Sequence, residues 1–369
     1  MGINLAGIIF ANLYEDNIPE LTAKRTIASV PFGGKYRLID FTLSNMSNSG
    51  INNVALLTRK NFHSLMDHVG TGFAWDLSKR RSGLALLPPY GNHSFANRIE
   101  SLYHIHGYIE NLREEYLLLS ASDSVANIDY QKMFEFHLKN EADITILYKN
   151  RVIPENTQSP IVVSTDETGL ITQMLVDPDT TEVCKVSAGS IIIGRDLLLK
   201  LVRECISRNT LSFKRHLLQN NVGNLKMYGY EFEGHMSVIT SLNSYYKENM
   251  KLMNPEVRAE LFNPLRPIYT KVRDDAPCRY GLTSKVKGSL VSQGCVIDGE
   301  VDSSILSKGV QIGKGAVVRN CIIMQDTVIG EGANLEYVII DKDCTVGDNV
   351  KLSGSESYPM YISKQSTVN

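Results

Sequence analysis

Three segments towards the carboxy-terminal end repeat one another. Residues 304–313 read SILSKGVQIG, residues 321–330 read CIIMQDTVIG, and residues 338–347 read VIIDKDCTVG; each starts 17 residues after the one before. A related segment, 289–298, starts 15 residues ahead of the first. Units this short cannot bury an apolar face alone, so they must stack and share one core. That confines the last quarter of the chain to a quasi-one-dimensional coil. The recurring pairs Gly313/Gly315 and Gly330/Gly332 lack the third glycine and the helix of a dinucleotide fingerprint, and read as coil corners.

The front of the chain follows a different logic. Residues 5–11 form an apolar run of strand length. Val30-Pro31-Phe32-Gly33-Gly34-Lys35 is a turn-rich loop, because proline fixes φ and paired glycines permit positive φ. Leu38, Ile39, Phe41 and Leu43 begin a helical face that closes over residues 45–50, and residues 54–57 form the next short apolar strand. Strand, loop, helix and strand predict a parallel α/β sheet. A helix is predicted over 242–253, ending at Asn254-Pro255; Pro264, Pro267 and Pro277 then mark a stretch suited to run over a surface.

Composition narrows the function classes. A net charge of −2 with 21% charged residues gives no footprint for nucleic acid. No apolar run reaches the roughly 18 residues of a membrane span. No basic region precedes an apolar core at the start, and Ala6 stands where a myristoylation signal has Ser or Thr. Six cysteines lie far apart without a C-x-x-C pair, as in a cytoplasmic protein with reduced thiols. His63, His68, His104 and His106 lack metal-ligand spacing, and residues 285–354 contain no histidine for an acyltransferase.

The run PFGGKYRLIDFTLSNMSNSGI (residues 31–51) is specific in residue type and spacing. It resembles the opening of sugar-nucleotide pyrophosphorylases, closely that of bacterial glucose-1-phosphate adenylyltransferase (ADP-glucose pyrophosphorylase). Residues 263–272, NPLRPIYTKV, look like that family's interdomain linker. The Ile-Gly and Val-Gly steps of the repeats resemble the hexapeptide of a left-handed parallel β-helix. The resemblance implies an α/β fold: a Rossmann-like nucleotidyltransferase domain with a mixed, mostly parallel sheet over 1–240, a helix and linker over 241–284, and the β-helix over 285–369.

The same resemblance exposes departures. The family's G-G-x-G-T-R-L phosphate loop falls on residues 12–18, where every glycine is gone and Asn17 replaces the arginine. Glu15 and Asp16 add negative charge, which repels a triphosphate. Ile27 stands at the catalytic lysine of A-K-P-A-V. Of the two magnesium aspartates, Asp123 is retained and the other position is Ser237. Asp123 alone is a weak residual metal candidate and otherwise a strand-end residue. The E-K-P of the sugar pocket becomes Val176-Asp177-Pro178; the G-T-A-D region falls near Asn97-Arg98-Ile99-Glu100, and D-F-G-K-D near Ser212-Phe213-Lys214-Arg215.

No catalytic residue, resident cofactor or metal is therefore expected, with magnesium reserved for a catalytic partner. The combination resembles the regulatory D-type subunit of ADP-glucose pyrophosphorylase in glycogen biosynthesis, which pairs with a catalytic homologue, most simply as a heterotetramer. An active adenylyltransferase with an altered site and a sugar-phosphate-sensing scaffold are the alternatives. Lys24, Arg25 and Arg37 match family positions near the β-helix where anionic effectors bind, such as a sugar phosphate or phosphate; salt bridges from the loop to the second domain are the competing role. Arg25 and Arg37 are expected to be replaceable by alanine without loss of folding.

Overall fold

The computed structural model describes residues 3–11, 18–79, 82–89, 97–272 and 274–369. The apolar run near the start forms the strand Leu5–Phe10, buried throughout. It pairs in parallel with Val54–Leu57 on one side and Tyr116–Ala121 on the other. Leu84–Leu87 extends the first side, again in parallel. On the second side Cys184–Gly194 runs antiparallel to Tyr116–Ala121, and Ile144–Arg151 and the hairpin of Ile161–Thr165 with Ile171–Val176 pair along it. Met227–Glu231 closes an edge in parallel with Ile144–Arg151. The result is a nine-stranded mixed sheet with a parallel centre. Apolar clusters cover both of its faces.

The helix Leu38–Asn48 begins where Asp40 accepts a hydrogen bond from the Arg37 backbone N–H at 3.0 Å. Its polar residues fasten the surroundings. Asn45 Nδ2 donates to the Ala126 carbonyl at 2.8 Å, and Asn48 Nδ2 to Pro267 at 2.9 Å. Ser44 Oγ accepts from the Tyr269 N–H at 2.8 Å. Thus the helix holds both the sheet domain and the proline-rich stretch. The helix predicted over 242–253 instead spans Leu242–Met250, tightens into a 3₁₀ turn over Lys251–Met253, and is followed by a further helix, Pro255–Leu261. Asn254 accepts from the Glu256 N–H and Pro255 occupies the first turn, so the Asn-Pro pair starts a helix as well as ending one.

The repeats stack as a parallel β-helix of three ladders. Its first strand, Arg279–Tyr280, pairs with Val296–Ile297 ahead of position 285. Ile305, Ile322 and Ile339 lie opposite one another, and so do Leu306, Ile323 and Ile340. Adjacent strand residues point to opposite faces. The second column fills the coil interior, while the first packs against Phe32, Leu38, Phe41 and Tyr245 of the front half. One outer face of the coil is therefore covered, which is why both columns are apolar. No helix among the described residues is long and apolar enough to cross a membrane.

Candidate functional site

Two cavities with charged side chains in their walls stand out, one at the sheet and one at the seam with the coil. The first lies past the carboxyl end of Tyr116–Ala121, where open α/β sheets place ligands. Asp123 follows that strand, and Arg98, Arg151 and Lys214 converge on the same space. Arg98 opens the helix Arg98–His104, capped by Asn97, whose Oδ1 accepts the Glu100 N–H at 3.0 Å. Its guanidinium rests over the rings of Phe10, at 4.9 Å, and Phe213, at 5.5 Å. Arg151 ends the strand Ile144–Arg151. Lys214 Nζ donates to the carbonyls of Gln158 at 2.9 Å and Ser159 at 2.8 Å. Burial pushes the Asp123 carboxyl above its usual range, against the pull of Arg98, Lys214 and Arg151. Burial also lowers Arg151, against the pull of Asp123 and Glu248.

The implied magnesium ion does not fit this set. Asp123 is one carboxylate among three cations. Ser237, at the second aspartate position, is buried; its Oγ donates to Glu248 and is 2.9 Å from His235 Nε2. A hard divalent cation needs several oxygen ligands, and Asp123 is the one carboxylate lining this cavity among the described residues. Among the described residues no group of three His, Cys, Asp or Glu side chains could hold a metal.

Ile27 lies elsewhere. It is fully buried in the apolar seam with Phe32, Tyr245 and the coil's Ile322. Asn17 falls outside the described residues, as does the rest of the 12–17 loop. Asp177 is exposed, its N–H bound to the Pro160 carbonyl at 2.8 Å, and does not line the cavity.

The second cavity, about 400 Å³, lies between the front loop, the linker and the coil. Lys35, Arg37, Lys271, Lys308 and Lys342 line it, with His68 and no carboxylate among the described lining residues. Arg37 Nη1 donates to the Ser64 carbonyl at 2.6 Å and to Ser64 Oγ at 3.0 Å. Burial, with Arg25 nearby and against the opposing pull of Asp40, brings Arg37 down to about 10. Burial, reinforced by Arg37 and Arg25, brings the Lys342 ammonium down to about 7.

Of the three basic residues expected at an effector site, only Arg37 lines this cavity. Arg25 is buried and forms an ion pair with Asp341 of the coil, which also accepts from Tyr361 Oη at 2.8 Å. Its position corrects the expectation that alanine there would spare folding. Lys24 Nζ reaches the Lys364 carbonyl at 3.5 Å on the exposed rim. Lys308 and Lys342 were missed, although the repeat held their signal. They occupy the fifth column of the aligned segments with Gln325 between them, so stacking brings all three to one face.

The nucleotidyl transferase family pattern matches residues 17–254, and a GlmU-like, C-terminal hexapeptide pattern matches residues 274–357. The chain is 34% identical to the glycogen biosynthesis protein GlgD of Bacillus subtilis, across 85% of this chain and 82% of that protein. It is 35% identical to the glucose-1-phosphate adenylyltransferase of Clostridium beijerinckii, across 87% and 85%. To the enzyme of that name from a Thermotoga species it is 34% identical, across 86% and 76%. Similarity to these proteins is nearly equal, so the site residues must separate a catalytic reading from a regulatory one.

Proposed function

The chain belongs to the nucleotidyl transferase family, beside glucose-1-phosphate adenylyltransferases, and from that premise we propose that it is a catalytically deficient, regulatory subunit of an ADP-glucose pyrophosphorylase. The reaction served is ATP and glucose 1-phosphate to ADP-glucose and pyrophosphate, in glycogen biosynthesis. The carrying observation is Ile27. At the position where the family resemblance places a phosphate-binding lysine, this chain has an isoleucine sealed in the seam with the coil. An apolar side chain there cannot offset the charge that nucleotidyl transfer concentrates on its phosphates.

The subunit acts by assembling with a catalytic homologue, which supplies the magnesium chemistry. The cleft lined by Arg37, Lys308 and Lys342 takes an anionic effector such as a sugar phosphate or phosphate. Arg25 serves this site by joining the front loop to the coil through Asp341. An effector regulates only if it binds the active and inactive assemblies with different affinity.

Activity assays of the chain alone and mixed with a catalytic relative test this reading. Alone, ADP-glucose synthesis is expected far below a typical turnover of about 10 s⁻¹. The mixture should run as one species on a sizing column and differ from the catalytic subunit alone in effector response by roughly 5- to 150-fold. Turnover by the isolated chain within about tenfold of that typical value would defeat the proposal.

A further inference from the structure

The first rung of the coil sets two cysteines against each other. Arg279 pairs in parallel with Val296, and its N–H donates to the Cys295 carbonyl at 2.9 Å. The residues one place earlier, Cys278 and Cys295, therefore stack on neighbouring strands. Both are free thiols; Cys295 is fully buried and Cys278 half-buried. The two thiols lie within hydrogen-bonding reach of each other. Neighbouring strands run about 4.8 Å apart, inside the roughly 4.4–6.8 Å Cα separation that a disulfide accepts. The coil's other two cysteines are placed differently. Cys344 shares a column with Cys295, but Val310 and Thr327 intervene. Cys321 belongs to another ladder.

The pair sits where the linker joins the coil. Cys278 follows the proline-rich stretch whose Thr270, Lys271 and Val272 line the seam cleft. Cys278 Sγ donates to the Ser292 carbonyl at 3.0 Å, and Cys295 Sγ to the Ser307 carbonyl at 3.2 Å. Ser307 lines the cleft, and Ser292 lies against Gly34 of the front loop. We propose that Cys278 and Cys295 are a modification site, a dithiol that a peroxide oxidises to a disulfide, clipping the linker to the coil beside the seam. Exposure sets the order of events, because burial holds the Cys295 thiol up at about 11. The Cys278 thiolate attacks one peroxide oxygen, the O–O bond breaks, and the departing hydroxide takes up the thiol's proton as water. A sulfenic acid remains on Cys278. The Cys295 sulfur then attacks the Cys278 sulfur. The S–S bond forms, the S–O bond breaks, and the hydroxide leaves with the Cys295 proton as a second water. The two thiols have lost two electrons and two protons, and the peroxide has been reduced to two waters. In a cytoplasmic setting such a bond is transient, so reduced thiols remain the resting state. The inference does not rest on the regulatory reading, since oxidation here needs no partner subunit.

The test is titration of the full chain with hydrogen peroxide, read by intact mass and by peptide mapping without reduction. The wild-type chain is expected to lose two hydrogens and to yield a peptide linked through Cys278 and Cys295. Dithiothreitol should restore the starting mass. Cys278→Ser and Cys295→Ala should each abolish the linked peptide, while Cys184→Ala/Cys205→Ala should leave it unchanged. In Cys295→Ala the sulfenic acid should be trapped by dimedone at Cys278. The bond closes a loop in the unfolded chain, so the oxidised wild type should melt at a higher temperature than the reduced one. That difference should vanish in Cys278→Ser. Should Cys295→Ala fail to fold, mapping of the wild-type chain still locates the bond without any substitution. Oxygen added at Cys278 with no linked peptide, a bond between another pair of cysteines or between two chains in its place, or no reaction at Cys278 would overturn the proposal. So would an oxidised chain that melts no higher than the reduced one.

Discussion

At the seam, where the sheet domain meets the coil, the residues that carry the family resemblance all have work that can be read from contacts. Ser44 and Asn48 hold the linker, Asn45 holds the Ala126 backbone, and Arg266 of the linker pairs with Asp129 at 2.7 Å. Phe32, Leu38 and Phe41 pack on the coil. At the sheet cavity the opposite holds: of the magnesium aspartates that the resemblance implies, Asp123 is kept and Ser237 replaces the other, and Arg98, Arg151 and Lys214 converge on the space beside Asp123. The two regions belong to one fold and one chain. Their difference shows that the matching motif vouches for architecture, while chemistry must be argued from the site.

The largest effect expected at the seam follows from restoring the family residue. Ile27→Lys would bury an uncompensated ammonium among Phe32, Tyr245 and Ile322. A cost of about 3–5 kcal/mol is expected, read as a lower urea midpoint, with no gain in ADP-glucose synthesis. A stable variant that synthesises ADP-glucose would erase the contrast between the two regions.

Arg25→Ala should rank next. It leaves the Asp341 carboxylate buried, with Tyr361 as its remaining side-chain donor. Loss of one partner of a buried pair typically costs about 3–5 kcal/mol, and the Tyr361 hydrogen bond should keep the cost at the lower end. Chemical denaturation of Arg25→Ala beside Arg37→Ala separates the two arginines, because Arg37 has Ser64 as partner and lines the cleft. Equal stability of both variants would make the seam electrostatically unimportant.

Much of this architecture was legible in the sequence. The repeat predicted the coil, and its adjacent apolar columns, such as Ile322 with Ile323, carried a further message that one outer face is covered. The strand-loop-helix opening matches Leu5–Phe10 and Leu38–Asn48. The site was less legible, because burial and three-dimensional convergence decide it. Arg25 and Arg37 lie close in sequence, yet one is spent on Asp341 and the other faces the cleft. Arg98, Arg151 and Lys214 meet only after the sheet forms, from a helix start, a strand end and a short helical turn.

A smaller effect should come from Gly34→Ala. Gly34 has a φ of +76°, and an added Cβ would lie 2.9 Å from Ser292 Oγ and 3.2 Å from the Leu306 carbonyl oxygen. The coil approaches the front loop too closely there for a side chain. Left-handed backbone at a non-glycine residue costs on the order of 1–3 kcal/mol. Differential scanning calorimetry should show a lower melting temperature. An unchanged Tm would mean that the seam yields readily at this point.

The least disruptive probe of the seam is pH, acting through Lys342. Its folded pKa is lowered to about 7, whereas an exposed lysine in the unfolded chain titrates near its ordinary value of 10.5. Between those values the unfolded chain binds more protons, so this residue makes stability rise with pH above about 7 and adds no slope below it. Anion binding runs the other way. A bound anion favours the ammonium form, so the cleft should bind most tightly below pH 7 and lose affinity above it, by at most about tenfold per pH unit. Sulfate is the suitable probe, because its own charge does not change over this range. Titrations from pH 6 to 8.5 should show the loss in the wild-type chain and its absence in Lys342→Met. Parallel pH profiles for the wild-type chain and Lys342→Met would remove Lys342 as the titrating group and, with it, the tunable character of the seam.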